Sequence, residues 1–276
     1  MRTVGESRSG AAARFSAALI ESPRLASETL LCAVLGCERS FLYAHPEAAL
    51  ELDQVERFDD LVERRLSGEP TQYLTGVQDF FGLEFDVSPA VFIPRPETEL
   101  LVEEVIENAP QGAQIIDIGT GAGCIAVAIS ANRPDACVFA VERSPAALEM
   151  ARRNARLHAP HVRFANGSLL APFREGRFEL VVSNPPYVAK STSPTLQKEV
   201  GFEPDLALFG GDDGLAVYER LIPQAHAALK PGGELVLELG YDSLPGVVRI
   251  LGEDWEKPVV RNDLAGIPRA LRVRKR

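Results

Sequence analysis

Apolar residues in the first 75 positions recur at helical spacing. In the segment DQVERFDDLVERRLSG, residues three or four positions apart share one helix face: Val55, Phe58, Val62 and Leu66. The segment SETLLCAVLG begins with Ser27, which suits a helix N-cap, and ends at Gly36, which suits a helix stop. We therefore expect residues 1–75 to form a small helical domain.

The pattern changes over residues 76–92. Aromatic and β-branched residues alternate with polar ones around Gly82 in YLTGVQDFFGLEF, which is typical of a β-hairpin. The stretch IPRPETE then places prolines and acidic residues where a helix would begin. We expect a hairpin linker over 76–92, followed by a larger domain over 93–276.

From residue 113 onward, short apolar runs alternate with helical segments. The runs AQIIDIG, CVFAVE, VRFANG, FELVVSN and ELVLELG are typical of buried strands, and WEKPVVRNDL with RALRVRK indicates a closing strand pair. The segments CIAVAISANR, SPAALEMARRNARLH and GLAVYERLIPQAHAALK indicate helices, the last ending at Pro231-Gly232-Gly233. This alternation predicts an α/β domain with a parallel sheet and helices on both faces.

Composition and charge narrow the class of protein. The chain has 276 residues, of which 46% are hydrophobic and 25% charged, as in ordinary globular proteins. No apolar run approaches the roughly 20 residues of a membrane span. The first fifteen residues lack an apolar core before a cleavage site, so we expect a frayed start and no export signal. A net charge of −10 disfavours a nucleic-acid substrate and direct nucleic-acid binding.

Cysteine and histidine spacing indicates no metal site. The four cysteines contain no CxxC pair, and without an export signal we expect them to be reduced in a cytoplasmic protein. His158 and His161 lie close together, but no HExxH motif surrounds them. We expect surface or capping roles for these histidines.

A glycine-rich turn, DIGTGAG, follows the first strand of the larger domain and precedes a helix. Gly119, Gly121 and Gly123 would let the backbone approach a ligand at the carboxyl end of the sheet. Their spacing matches neither the dinucleotide fingerprint nor a Walker loop. The alternative is a glycine-lined turn that binds nothing.

Glu142 strengthens the ligand hypothesis, because it ends the second strand, 19 residues after Gly123. A carboxylate there can accept hydrogen bonds from two ribose hydroxyls. Because no pyrophosphate cradle is apparent, we expect a nucleoside ligand without a pyrophosphate, and S-adenosylmethionine fits that description. Its adenine would lie near Ser168 and Leu169, although Ser168 would also suit a helix N-cap and Leu169 the core.

A stiff loop, Asn184-Pro185-Pro186-Tyr187, follows the fourth strand. Proline fixes φ and pushes the preceding residue to extended geometry. The Asn184 side-chain carbonyl and the Pro185 backbone carbonyl are suited to accept the two N–H bonds of a planar amine, such as a carboxamide or adenine N6, in line with a methyl donor. Tyr187 would stack on that planar group. A proline-rich turn without chemistry is the alternative.

These motifs resemble a known family. DIGTGAG, Glu142 and SNPPY are similar to class I S-adenosylmethionine-dependent methyltransferases that act on planar nitrogen. The segments GEPTQYLTG, FIPRPETE, EVGFEPDLALFGGDDGL and LKPGGELVLELG resemble the PrmC/HemK family, which methylates the glutamine of the Gly-Gly-Gln loop in peptide chain release factors. The resemblance runs from about residue 22 to the end and is strongest from Glu69 to Glu238.

The resemblance implies a Rossmann-like, mostly parallel seven-stranded sheet with a small N-terminal helical domain. It implies S-adenosylmethionine as cofactor, class I release factors as protein substrates docked in part by the helical domain, and a cytoplasmic location. The residues implied to bind the cofactor are Gly119, Thr120, Gly121, Ala122, Gly123, Glu142, Ser168, Leu169 and Asn184. Those implied to grip the glutamine and carry the reaction are Asn184, Pro185, Pro186 and Tyr187, with Phe92 as a wall of the glutamine pocket.

The chain departs from the family at three of these positions. Glu142 stands where the family often has Asp, and a glutamate still reaches both ribose hydroxyls. Ser168 stands where Asp is common, and Leu169 offers no aromatic ring for stacking. The adenine contact is therefore the weakest part of the expected cofactor site.

Three alternatives remain open. A ribosomal-protein glutamine methyltransferase shares the chemistry but departs from this chain at PRPETE. DNA and RNA adenine-N6 methyltransferases share the Asn-Pro-Pro-Tyr loop but need a basic groove or a target-recognition region. A non-catalytic cofactor-binding assembly factor would not need both acceptors and the ring.

Overall fold

A computed structural model describes the backbone of residues 1–276 and the side chains of residues 1–192 and 196–276. The chain divides into two compact units. The first comprises Met1–Val77 and Gln197–Phe202, and the second comprises Gln78–Leu196 and Glu203–Arg276. The smaller unit thus includes a short segment from the second half of the sequence.

The first unit is helical, as the apolar spacing predicts. Its helices are α1 (Val4–Ala17), α2 (Pro23–Leu35), α3 (Arg39–Ala44), α4 (Leu52–Leu66) and α5 (Thr71–Thr75), with a 3₁₀ turn over Lys198–Phe202. Thr3 and Glu6 form a capping box before α1: Thr3 Oγ1 accepts from the Glu6 backbone at 3.2 Å, and Glu6 Oε2 accepts from the Thr3 backbone at 2.8 Å. The expected frayed start is therefore wrong.

The N-cap of α2 differs from the prediction. Ser22, and not Ser27, precedes the helix, in a left-handed conformation with φ of 47° before Pro23. Ser27 is fully buried inside α2, where its hydroxyl donates to the Arg8 carbonyl at 2.7 Å. The predicted stop is confirmed, because Gly36 ends α2 with φ of 64°.

Apolar side chains from α1, α2 and α4 form the core of this unit. Phe15, Leu30, Leu31 and Phe58 are fully buried there. Burying a large apolar side chain contributes about 1.5–3 kcal/mol. The spacing that predicts α4 is confirmed, because its apolar face packs into this cluster.

One buried charge lies beside that core. Glu28 accepts hydrogen bonds from Arg24 Nε at 3.0 Å, from Arg39 Nη2 at 2.6 Å and from the Tyr43 hydroxyl. Burial acts to raise the pKa of Glu28, but these three donors outweigh it and lower the pKa to about 2. The carboxylate is therefore charged and fully paired at neutral pH.

A β-hairpin follows in sequence, as predicted around Gly82. It consists of β1 (Val77–Phe80) and β2 (Leu83–Asp86). Phe81 and Gly82 have φ of 52° and 73°. Positive φ at both central residues is typical of a two-residue hairpin loop.

The second unit is built on one mixed sheet. Within the described residues this sheet has seven strands, which are β3 (Gln114–Ile118), β4 (Cys137–Glu142), β5 (Arg163–Asn166), β6 (Phe178–Ser183), β7 (Leu229–Glu238), β8 (Val259–Asn262) and β9 (Pro268–Arg274). Their order is β5-β4-β3-β6-β7-β9-β8, and β9 pairs antiparallel with both β7 and β8. The predicted parallel sheet and the closing strand pair are confirmed.

Helices connect these strands. They are α6 (Glu99–Asn108), α7 (Cys124–Asn132), α8 (Pro145–His158), α9 (Asp205–Leu208), α10 (Ala216–Ala228) and α11 (Leu244–Leu251), with 3₁₀ turns over Pro96–Thr98, Lys190–Thr195 and Gly252–Asp254. IPRPETE leads into α6 through the first of these turns. The predicted helix entry at this stretch is confirmed.

The prediction that Pro231-Gly232-Gly233 separates α10 from the next strand is wrong. Strand β7 begins at Leu229, directly after α10, and includes all three residues. The pairing of β6 with β7 shifts register between Phe178 and Leu180. A Cβ on Gly233 would lie 3.1 Å from the Glu179 carbonyl oxygen, so glycine permits this close approach.

A continuous apolar core fixes the position of the parallel strands. It includes Ile116, Phe178, Tyr218 and Leu235, each at most 1% exposed. Since parallel strands end at a common edge, the carboxyl ends of β3, β4 and β6 meet there. The residues after these ends carry the candidate site.

Candidate functional site

The glycine loop and the proline loop begin side by side. Ile118 at the end of β3 pairs with Ser183 at the end of β6. The Ser183 hydroxyl also donates to the Ile118 carbonyl at 2.7 Å. The next residues, Gly119 and Asn184, are therefore neighbours at one sheet edge.

The glycine loop is left-handed at three positions. Gly119, Gly121 and Gly123 have φ of 73°, 56° and 88°, which other residues rarely adopt. A Cβ on Gly119 or Gly121 would meet no atom of the described residues within 4 Å, so both face open space. A Cβ on Gly123 would lie 3.1 Å from Ala151 Cβ, so Gly123 permits close packing of the loop on α8.

Asp117, on β3, holds the glycine loop and the start of α7 by hydrogen bonds. It is fully buried, and its Oδ2 accepts from the Thr120 hydroxyl at 2.5 Å and from the Ala126 backbone at 3.3 Å. Burial raises the pKa of Asp117 to about 7, against the Thr120 hydrogen bond, which lowers it. Within the described part of the chain its Oδ1 is buried without a partner. The sequence reasoning missed Asp117, whose only signal was an acid near the end of an apolar strand.

The glycine loop is tied to Glu142, which the sequence predicted as a cofactor ligand. Glu142 Oε2 accepts from the Gly121 backbone at 3.0 Å, and Oε1 accepts from the Ser144 backbone at 2.8 Å. The side chain is nearly buried. The structure therefore brings Glu142 and the loop together at the end of β4.

Ser168 and Leu169 lie near the same edge but outside regular structure. Asn166 at the end of β5 pairs with Glu142, and the Gly167 backbone donates to the Glu142 carbonyl at 3.0 Å. Residues 167–173 form turns and no helix, so the helix N-cap alternative for Ser168 is wrong. Leu169 has φ of 52° and packs partly against the main core. Their contact with adenine stays a prediction.

The Asn184 side chain has a defined orientation. Its Nδ2 donates to the Thr98 hydroxyl oxygen at 3.2 Å. This bond turns the amide so that Oδ1, the acceptor that the proposed chemistry needs, points away from Thr98. The neighbouring Pro185 is buried.

A single carboxyl group, that of Glu238, holds both ends of the proline loop. Its Oε2 accepts from the Thr98 hydroxyl at 2.6 Å, and its Oε1 accepts from the Tyr187 hydroxyl at 3.0 Å. Burial raises the pKa of Glu238 to about 7, although the bonds from Thr98 and Tyr187 lower it. Burial also raises the pKa of Tyr187 well above its ordinary value, so its hydroxyl remains a donor. The sequence reasoning did not find Thr98 or Glu238.

A second glycine segment, LFGGDDGL, packs against the backbone of the proline loop. A Cβ on Gly210 would lie 2.5 Å from the Pro186 carbonyl oxygen, and one on Gly214 would lie 2.3 Å from the Tyr187 carbonyl oxygen. The Val188 carbonyl also accepts from the Gly210 backbone at 3.0 Å. Only glycine fits these positions, which explains this segment of the sequence.

Phe92 is half-buried, and its ring lies 4.6 Å from the Arg95 guanidinium carbon. Arg95 in turn pairs with the buried carboxylate of Glu203. This cluster orders the chain before α6. The role of Phe92 as a wall of a glutamine pocket stays a prediction.

The chemistry of the site suits S-adenosylmethionine. Open space over Gly119 and Gly121 admits a ligand to the backbone, and the nearby Glu142 carboxylate suits ribose hydroxyls. Within residues 1–192 and 196–276, no group of three or more His, Cys, Asp or Glu side chains could hold a metal ion. Over the same residues, no helix is both long and apolar enough to cross a membrane.

Two protein-family models match the chain. The PrmC N-terminal domain matches residues 6–76, and the methyltransferase small domain matches residues 89–200. The chain is 43% identical to the release factor glutamine methyltransferase of Koribacter versatilis (strain Ellin345), over 99% of each sequence. It is 46% identical to that of Geobacter sulfurreducens (strain ATCC 51573 / DSM 12127 / PCA), over 80% of this chain and 78% of the relative.

Solved structures agree on the fold. A methyltransferase from Pyrococcus furiosus superposes with a TM-score of 0.53 at 19% identity, over 81% of this chain and 98% of that one. Together with the methyltransferase small domain match, this likeness confirms the predicted class I methyltransferase fold.

Proposed function

The chain belongs to the release factor glutamine methyltransferase family, and from that premise we propose that it methylates the side-chain amide nitrogen (N5) of a release-factor glutamine. The substrate glutamine is proposed to be that of the Gly-Gly-Gln motif of class I release factors. The observation that supports this most is the anchored Asn184 amide, whose Nδ2 is held by Thr98 beside the glycine loop.

The residues of the proline loop are suited to activate a weak nucleophile, which is the main difficulty of this reaction. An amide nitrogen is a poor nucleophile because its lone pair is delocalised into the carbonyl group. Asn184 Oδ1 and the Pro185 carbonyl would accept its two N–H bonds and stabilise the charge that develops on nitrogen. Tyr187 would hold the planar amide by stacking, and the stiff loop would keep the nitrogen in line for attack.

The cofactor supplies an electrophilic methyl group on a sulfonium when bound. Gly119–Gly123 would line it, Glu142 would accept hydrogen bonds from its ribose, and Ser168 and Leu169 would lie against its adenine. Glu142 already accepts from the Gly121 backbone at 3.0 Å, so cofactor binding and loop shape depend on the same carboxylate.

The substrate is proposed to be a protein and not a nucleic acid, because the chain carries a net charge of −10. The helical region 1–75 would help to dock the release factor, and Phe92 would wall the glutamine pocket. A cytoplasmic location follows from this substrate, since release factors act on ribosomes.

The test is methyl transfer followed by mass spectrometry. The purified chain is incubated with S-adenosylmethionine and a class I release factor from the same species, and the Gly-Gly-Gln peptide is analysed. We expect one added methyl group on the glutamine. Asn184→Ala should lower the rate about a hundredfold or more, since one misplaced polar group at a reacting centre costs that order.

Asn132→Ala is the matched control, because Asn132 is exposed at the end of α7 and, within the part of the chain that the structure describes, donates only to the Ala128 carbonyl of the same helix. It should keep the wild-type rate. Wild-type turnover by Asn184→Ala would contradict the loop mechanism. An unmethylated release factor, with intact cofactor binding and labelled methyl entering ribosomes or nucleic acid, would overturn the substrate assignment.

A further inference from the structure

We propose that Glu238 acts through Thr98 as a positioning pair that sets which end of the Asn184 amide faces the substrate. The proposal rests on the proposed methyl transfer and concerns residues outside the Asn-Pro-Pro-Tyr motif. The three side chains form one hydrogen-bonded chain, from Asn184 Nδ2 to Thr98 Oγ1 at 3.2 Å and from Thr98 to Glu238 Oε2 at 2.6 Å.

The donors and acceptors in this series of hydrogen bonds follow from the number of hydrogens on each group. A threonine hydroxyl has one hydrogen to donate and lone pairs to accept with. An ionised Glu238 can only accept, so it takes the Thr98 hydrogen. Thr98 is then left to accept from the Asn184 amide, which places Nδ2 toward Thr98 and Oδ1 toward the substrate.

If the hydrogen bond between Thr98 and Asn184 ran in the opposite direction, the proline loop would lose an acceptor for the substrate. If Thr98 donated to Asn184, then Oδ1 would face Thr98 and the NH₂ group would face the substrate amide. Two NH₂ groups cannot hydrogen-bond productively, so the nitrogen of the glutamine would lose one acceptor. The charge of Glu238 therefore selects the productive amide orientation.

The surroundings of Glu238 act on its charge in opposite directions. The carboxyl is 1% exposed, and the hydroxyls of Thr98 and Tyr187 donate to its two oxygens. Arg269 favours the ionised form and Glu97 the neutral form, while burial raises its pKa to about 7.

A further titratable neighbour is Tyr218, whose hydroxyl donates to the Glu238 carbonyl oxygen at 2.7 Å. Ionisation of the Glu238 carboxyl near neutral pH is coupled, through Thr98, to the orientation of the Asn184 amide.

The test compares two substitutions of one side chain. Thr98→Val keeps the shape and removes the hydroxyl, whereas Thr98→Ser keeps the hydroxyl. Single-turnover methyl transfer to a class I release factor is measured at saturating S-adenosylmethionine from pH 5.5 to 8.5, with cofactor affinity measured by calorimetry.

We expect Thr98→Val to be slower by about tenfold, the order of one lost hydrogen bond, with unchanged cofactor affinity. Thr98→Ser should stay within about twofold of wild type.

The pH profile separates positioning from simple packing. The wild-type rate should fall as pH drops through about 7, because protonated Glu238 no longer compels Thr98 to donate to it. This fall in rate at low pH should be smaller in Thr98→Val, because the hydrogen bonds that connect Glu238 to Asn184 are absent.

Equal rates and equal profiles for wild type and Thr98→Val would overturn the proposal. If Thr98→Val does not fold, a wild-type rate that stays flat from pH 6 to 8 would overturn it instead. A wild-type chain that leaves the release factor unmethylated would overturn the proposed function, which is a different result.

Discussion

At the scale of single residues, Glu142 is the clearest candidate for binding the cofactor. Its two oxygens accept from the Gly121 backbone at 3.0 Å and the Ser144 backbone at 2.8 Å. The same carboxylate is thus expected to shape the loop and to bind the ribose. Preorganisation of this kind lowers the cost of ordering a site when the ligand binds.

Removing this side chain should weaken cofactor binding more than it slows the bound-state reaction. We expect Glu142→Ala to raise the dissociation constant for S-adenosylmethionine by about tenfold to a hundredfold, as for lost hydrogen bonds to a charged group. Isothermal titration calorimetry measures the affinity, and single-turnover kinetics at saturating cofactor measures the reaction.

Glu149→Ala is the matched control, because Glu149 is exposed on α8 and, among the described residues, pairs only with Arg156, at 3.4 Å. Its affinity should equal that of wild type. An unchanged affinity for Glu142→Ala would refute the ribose assignment.

At this scale the sequence predicts residues that directly follow strands and misses residues that support them. Asn184 and Glu142 are predicted as site residues because parallel strands deliver their ends to one edge. Thr98 and Glu238 are missed because 140 positions separate them in the chain, and no local spacing reveals a hydrogen bond of that span.

Among the secondary-structure elements, α8 joins the hairpin to the glycine loop through one side chain. Asn154 is fully buried, and its Oδ1 accepts from the Asp86 backbone at 2.8 Å. Its Nδ2 donates to the carbonyls of Asp86 at 3.0 Å and Ala122 at 2.8 Å. One amide group therefore completes the backbone hydrogen bonding of two separate elements.

Truncating the Asn154 side chain should lower the stability of the fold. We expect Asn154→Ala to lower the free energy of unfolding by about 3 kcal/mol, because buried backbone groups lose their partners. Urea denaturation measures this change. Asn132→Ala, an exposed helix-end asparagine, should stay within about 0.5 kcal/mol of wild type. A similarly small effect for Asn154→Ala would show that water replaces the lost bonds.

The elements themselves are predicted well where the pattern is long and periodic. The strands of the main sheet and the hairpin at Gly82 follow from apolar runs and turn residues. The errors lie at the ends of elements. Ser22 begins α2 in a left-handed conformation, and Pro231-Gly232-Gly233 lies within β7, because tertiary packing overrides local propensity at both places.

At the scale of the whole molecule, the fluorescence of a single tryptophan can follow the unfolding of the sheet unit. Trp255 is the only tryptophan of the sequence and is buried in the core of the sheet unit. Its fluorescence therefore follows the unfolding of the unit that carries the proposed cofactor site.

Cofactor binding should stabilise that unit by mass action. We expect S-adenosylmethionine at a hundred times its dissociation constant to add about 2.7 kcal/mol to the free energy of unfolding. Tryptophan fluorescence during thermal unfolding measures the shift in midpoint. Glu142→Ala at the same concentration should show a smaller shift. A wild-type midpoint that does not move with added cofactor would contradict binding to the folded sheet unit.

The fold class is predictable from the order of elements, but the division of the chain into units is only partly so. Residues 197–202 belong to the helical unit, where Glu199 pairs with Arg65. No composition change marks this segment, because its placement depends on side chains far away in sequence.

Because of that placement, the first 77 residues do not make up the helical unit by themselves. Gly68 lies against the Lys198 side chain, since a Cβ on Gly68 would lie 2.8 Å from Lys198 Cδ, so residues encoded far apart in the gene pack together in the helical unit. Recombination that exchanged only the first part of the gene between relatives would separate Arg65 from its natural partner. The two stretches are therefore expected to be inherited, and to change, as one.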